Sequence, residues 1–235
     1  MTILESQNMT QPFEVQENLQ KLLVPHPSPE EFRAALVAVS KRSREHVVRL
    51  WLTEGTPFAF RACPGTYEEM RRWLGIRLAV CPKEISVVGS ARIGFSMAGS
   101  TDFGQPFGEN SDLDVVVISQ KLFAALTETF SNWKNDYTNG VVSPQNERQR
   151  RLWPENLKFG ERNLPLGFFD VDKLPTFNRY PLVQIVQNTM WALREKLKVT
   201  PKVPLPRRAS MRVYATWRDL VARVTFNLWT ALVDR

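Results

Sequence analysis

The sequence predicts an α+β domain built on a mixed α/β-type sheet, with helices added before and after the core. Three features predict it. Short β-branched or apolar runs, "ISVV" at 85–88, "LDVVVI" at 113–118 and "LGFFDVDKL" at 166–174, read as strands. Longer segments with apolar residues every three or four positions lie between and around them and read as amphipathic helices. At 235 residues the chain can bury one sizeable core, and it shows neither repeats nor a second complete core. The organisation expected is a flexible lead over 1–27, a helical segment over 28–80 packed on the core, the core itself over 81–178, and C-terminal helices over 179–235.

The elements follow in order. "SPEE" offers Ser28 as N-cap, Pro29 at the first helical position and Glu31 three residues past the cap, so a helix is predicted from there to about Leu52. "TYEE" offers a second capping box, Thr66 with Glu69, opening a helix through Met70, Trp73 and Leu74. Strand 85–88 ends on Gly89. Residues 97–110 are glycine-rich and polar, hence a loop. After strand 113–118 a helix is predicted from Gln120 to Trp133. Residues 137–165 hold no sustained period and read mostly as loop. A helix over "YPLVQIVQNTMWALREKLK" carries Leu182, Ile185, Val186, Met190, Leu193 and Leu197 on one stripe. Three prolines in "VTPKVPLPRRAS" end it, and a last helix is predicted from Met211 onward.

Composition narrows the class of function. No run approaches the ~18 apolar residues that a membrane span requires. The first residues lack the basic head and apolar stretch of a secretory signal, so a cytoplasmic protein is expected. Two cysteines, Cys63 and Cys81, and two histidines, His26 and His46, argue against a zinc site and against a disulfide framework. The net charge of +7 is local: eight Lys/Arg against one acid between Arg194 and Arg218 account for all of it. Such a segment suits a polyanion, such as a nucleic acid or a nucleotide, and equally suits a solvated face.

The chemistry gathers in "GENSDLDVVVIS", Gly108–Ser119. Side chains alternate along a strand, so Asp112 and Asp114 point the same way, about 7 Å apart by Cα. Two like charges entering a core repel each other and lose hydration unless a cation compensates. Magnesium takes one or two carboxylates and accepts phosphate oxygens in its remaining positions. Upstream, "SVVGSARIGFS" places Gly89 and Ser90 at the end of a strand, with Arg92 beyond. Glycine lets the backbone approach a phosphate, and serine donates a hydrogen bond to it.

A strand ending in Gly-Ser, followed by Asp-h-Asp on the next strand, resembles the DNA polymerase β-like nucleotidyltransferase superfamily. The resemblance covers roughly residues 85–175. It implies a polymerase β-like core, a triphosphate held by Gly89 and Ser90, and Mg²⁺ or Mn²⁺ held by Asp112 and Asp114. A third carboxylate from a later strand is implied at Asp170 in "FFDVDKLPTF", with Asp172 as its rival. Arg92 and Ser111 are the further nucleotide-binding candidates. "SDLD", with Ser111 ahead of the pair, is similar to the branch holding cyclic-oligonucleotide synthases and CCA-adding enzymes. Twenty-one residues separate Ser90 from Asp112, more than in most members, and only about 60 residues follow the core. A single transfer fits that length better than processive polymerisation.

The activity implied is metal-dependent transfer of a nucleoside monophosphate from an NTP to a hydroxyl, with RNA, tRNA or a nucleotide as acceptor through segment 194–218. Two other readings stand beside it. One is a catalytically inactive relative that binds nucleotide or nucleic acid as a regulator or complex subunit. The other is an interaction protein whose acids hold a structural ion. Trp153, after Arg148, Arg150 and Arg151 in an expected loop, is a candidate for stacking a base. Trp73, Trp191, Trp217 and Trp229 are expected in helices as core residues.

Overall fold

The computed structural model describes residues 17–20, 24–40, 43–98 and 102–233. Most of the lead expected over 1–27 lies outside the described residues.

Four strands form one mixed sheet. They are β1 (Ile85–Val88), β2 (Asp112–Ile118), β3 (Phe168–Asp170) and β4 (Arg208–Tyr214), in the spatial order β1-β2-β4-β3. β1 runs antiparallel to β2, β2 parallel to β4, and β3 antiparallel to β4. The α+β class read from the sequence is what the chain adopts. β4, however, lies in a stretch expected partly as proline-rich connection and partly as helix. It became a strand because Arg208, Ser210 and Arg212 alternate with Ala209, Met211 and Val213, a period of two that arginines disguise. Only after it does the last helix, α8 (Trp217–Val233), begin. The Thr216 hydroxyl caps it, accepting from the Asp219 amide at 3.2 Å.

One face of the sheet carries the main core. Ile85, Val87, Leu113, Val115, Val117, Phe169, Met211 and Val213 are all buried there. They meet the apolar faces of α3 (Pro64–Leu78), α5 (Gln120–Thr138) and α7 (Pro181–Val199). α3 opens on Pro64 with Cys63 at its N-cap position, one turn earlier than the Thr66 box predicts, because Pro64 is preorganised for a first helical turn. α6 (Glu147–Asn163) replaces the loop expected over 137–165. Its signals are weak in sequence: Pro154 sits inside it, and its buried stripe is Trp153, Asn156, Gly160 and Asn163. The Asn146 side chain nevertheless caps it, accepting from the Gln149 amide at 2.9 Å. Trp153 is therefore a core residue, edge-on to Trp133 and Tyr137 at centroid distances of 5.6 and 5.0 Å, and offers no face for a base.

The other face is divided. Toward the C-terminal ends of β2 and β4, Val116, Ile118 and Tyr214, with Phe168 of β3, pack under Leu220 of α8. The N-terminal halves of β2 and β4 carry charged and polar side chains on this face, and the N-terminal helices wall it. α1 (Pro29–Ala38) begins with the expected Ser28–Glu31 capping box but stops at Ala38. A second piece, α2 (Arg44–Val47), runs on as a π-helical turn over Val48–Thr53. Phe32, Leu36, Trp51 and Leu52 from these pieces form a smaller core with Ile93, Phe95, Val221 and Leu228.

Candidate functional site

β1 ends at Gly89, which has φ +71° and ψ −153°, a conformation essentially reserved for glycine. The turn delivers Ser90 at the head of a single helical turn, α4 (Ser90–Ile93). Val88 pairs with Asp114 across the antiparallel ladder, so the turn comes back onto that carboxylate. A Cβ on residue 89 would stand 3.1 Å from Asp114 Oδ2. Gly89, Ser90 and Asp114 line one open cleft of about 570 Å³, a size that suits a nucleotide-sized ligand. Leu52 and Leu228 form part of its apolar wall, and Ser96 stands in it as well.

The acidic pair shares this face, as the alternation requires, but its members have different surroundings. Asp114 accepts a hydrogen bond from Ser210 Oγ at 2.7 Å, its register partner on β4. Asp112 lies outside the cleft lining at a basic rim. Its oxygens accept from Arg207 Nε at 3.1 Å, Arg207 Nη2 at 3.3 Å and Arg208 Nη2 at 3.2 Å. Both arginines are well exposed, so these are surface ion pairs that a bound ligand can displace at little cost.

Asp170 does not adjoin the pair. β4 lies between β2 and β3, and Arg212 of β4 is the register partner of Asp170. The two form a bidentate pair, with Arg212 Nη2 donating to Asp170 Oδ2 at 3.0 Å and Nε donating to Oδ1. Burial works against the Arg212 charge, yet the Asp170 carboxylate outweighs it and holds the guanidinium more firmly protonated than usual. Arg212 also lines the cleft. Asp172 stands 3.8 Å from Nη1 of Arg208, the arginine that also pairs with Asp112. Partial loss of hydration raises the pKa of the half-exposed Asp172 carboxyl; Arg208 opposes that shift, and Asp170 and Asp114 add to it.

Comparison with family models, with curated proteins and with solved structures returned no match.

Arg92 is turned away from the cleft and away from solvent. It is 1 % exposed and donates to the carbonyls of Thr56 at 2.5 Å, Leu50 at 3.3 Å and Glu54. It ties α4 to the end of the π-helical turn, on the side away from the cleft. Ser111 shapes the entry to β2: its hydroxyl accepts from the Gly108 amide at 3.1 Å and its carbonyl from the Arg207 amide at 2.9 Å. His26 accepts no catalytic partner; its ring lies against Phe58 and within 2.9 Å of the Thr56 carbonyl.

The residues present fit one divalent ion, because Asp112 and Asp114 share a face and the Gly89 turn closes on Asp114. The strand next to β2 brings no third carboxylate to that ion. A carboxylate reaching the same ion from the next strand would stand at 208, 210 or 212, and those positions are Arg208, Ser210 and Arg212. Among the described residues no three Asp, Glu, His or Cys side chains converge as a metal cage. Ser210 and Arg212 are the site residues that sequence reasoning missed. The alternation in "RASMRVY" is the signal that finds them.

Proposed function

We propose that the cleft binds a nucleoside triphosphate together with one divalent cation, and that the chain transfers the nucleoside monophosphate to a hydroxyl acceptor. The observation that carries this reading is the Gly89 turn seated against Asp114 in one cleft. The resemblance to the polymerase β-like nucleotidyltransferases supports it further. In this reading Ser90 Oγ and the backbone amides of the turn donate to phosphate oxygens, as a glycine without a side chain permits. Asp112 and Asp114 hold the ion (Mg²⁺ or Mn²⁺), which neutralises phosphate charge when bound. Asp112 leaves its arginines to do so. Those freed arginines, Arg207 and Arg208, then face incoming polyanion and lead it from the basic segment 194–218 toward the cleft. In the transfer the acceptor hydroxyl gives up its proton to solvent as its oxygen bonds to the α-phosphorus, the bond from that phosphorus to the α,β-bridging oxygen breaks, and pyrophosphate leaves.

A second reading, nucleotide binding without transfer, is favoured by one specific observation: β4 separates Asp170 from the pair. Incubation of the chain with each α-labelled NTP, Mg²⁺ and total RNA separates the two. Label incorporated by the wild type and lost in Asp114→Asn supports transfer. Label retained on the protein but never incorporated supports binding alone. No retention and no incorporation with any NTP defeats both.

A further inference from the structure

We propose that Arg212 contacts the bound phosphate chain directly, standing where a third metal-binding carboxylate would be needed, so that a guanidinium supplies the second positive support of the site. The inference rests on the phosphate reading of the cleft and goes beyond it. β4 is the strand hydrogen-bonded to β2, with Ser210 opposite Asp114 and Arg212 two residues on along the same face. Asp170 is two strand spacings from β2, roughly 10 Å, too far for its short side chain to share an ion with Asp114. Among the described residues, Arg212 is the cation that lines the cleft beside Ser90 and Asp114.

Its surroundings suit that task. Arginine carries five N–H donors in a rigid fork; Asp170 takes two of them and the Tyr214 hydroxyl accepts another, leaving donors for a second anion. The Asp170 grip fixes the side chain, so little rotamer freedom remains to be lost on binding. The guanidinium also lies over the Phe168 ring at 5.5 Å, and that ring stacks on Tyr214 at 5.6 Å. Asp170 is thus a positioning residue that aims Arg212 and holds no ion of its own. A permanent charge replaces an exchangeable one, and a consequence follows: part of the phosphate affinity needs no metal.

Calorimetric titration of the full chain with inorganic tripolyphosphate, once in EDTA and once in Mg²⁺, tests this. The wild type is expected to bind in EDTA, and more tightly with Mg²⁺. Arg212→Gln is expected to lose at least about tenfold of the affinity in EDTA, the scale of one charge-assisted hydrogen bond, with Arg212→Lys in between. Where Arg212→Gln leaves Asp170 unpaired and fails to fold, Asp170→Asn with Arg212→Gln removes both charges together and should show the same loss. Wild-type affinity in Arg212→Gln or in the double variant, with Gly89→Ala weakened, overturns the inference while the phosphate reading stands. Binding that vanishes in EDTA also overturns the inference alone. No binding of tripolyphosphate under either condition overturns both.

Discussion

Leu113 and Asp114 are neighbours on β2 and live in different worlds. Leu113 is fully buried in the main core, with Val115, Val117, Met211 and Val213 around it on the same face. Asp114, one residue on, faces the cleft with Ser210 and Gly89. The same alternation runs along β4, where Met211 and Val213 belong to the core and Ser210 and Arg212 to the polar face. A strand of period two can therefore divide its labour residue by residue: one set of positions holds the fold together, and the other is free to carry chemistry.

The largest effect that tests this division is on the core side. Leu113→Ala should cost about 2–5 kcal/mol of unfolding free energy, measured by denaturant midpoint, since it leaves a cavity under a fully buried side chain. Asp114→Asn, which keeps the shape and disturbs one hydrogen bond, should cost about 1 kcal/mol or less and yet abolish metal-dependent NTP binding. Equal destabilisation by the two would break the comparison.

Two glycines sharpen it. A Cβ on Gly160 of α6 would come within 2.1 Å of Phe130, so Gly160→Ala should cost about 1–3 kcal/mol through overpacking, with NTP affinity per folded molecule unchanged. Gly89→Ala forces a side chain into a backbone conformation worth about 1–3 kcal/mol of strain, and crowds Asp114 as well. Its expected signature is loss of ligand-induced thermal stabilisation in addition to the lower Tm.

The smallest effect concerns pH. Asp172 has a folded pKa above its unfolded value, chiefly because folding strips part of the water from its carboxyl, although the side chain stays 47 % exposed. Ionisation is thus disfavoured in the fold, and the penalty is present above the folded pKa and gone once pH falls below the ordinary carboxylate range, about pH 4. Asp172→Asn should therefore raise Tm slightly at pH 7, with the gain fading toward pH 4. A Tm gain that grows on acidification would contradict the assignment of cause.

The sequence made part of this molecule legible and hid the rest for identifiable reasons. Gly89-Ser90 and the Asp112–Asp114 alternation could be read because they depend on local geometry, a positive φ and a period of two. Ser28 and Glu31 were legible as a cap on the same grounds. The partner strand of β2 was not, because parallel pairing is a long-range choice and 89 residues of chain lie between Ile118, where β2 ends, and Arg208, where β4 begins. Arginines on its polar face imitated a solvated helix. α6 was hidden because Gly160 packs by being small and Asn163 by donating to the Phe159 carbonyl, which hydrophobic periodicity does not register. Asp170 was readable as a carboxylate on a strand, but only strand order tells that β4 stands between it and Asp114.

One measurement bears most directly on the cleft: a crystal structure of the full chain with a triphosphate whose α,β-bridge cannot be cleaved, grown with Mn²⁺. The triphosphate should lie along Gly89-Ser90, with the ion on Asp114 and a guanidinium nitrogen of Arg212 on a phosphate oxygen. A ligand bound elsewhere, or a cleft still empty at saturating concentration, would contradict it.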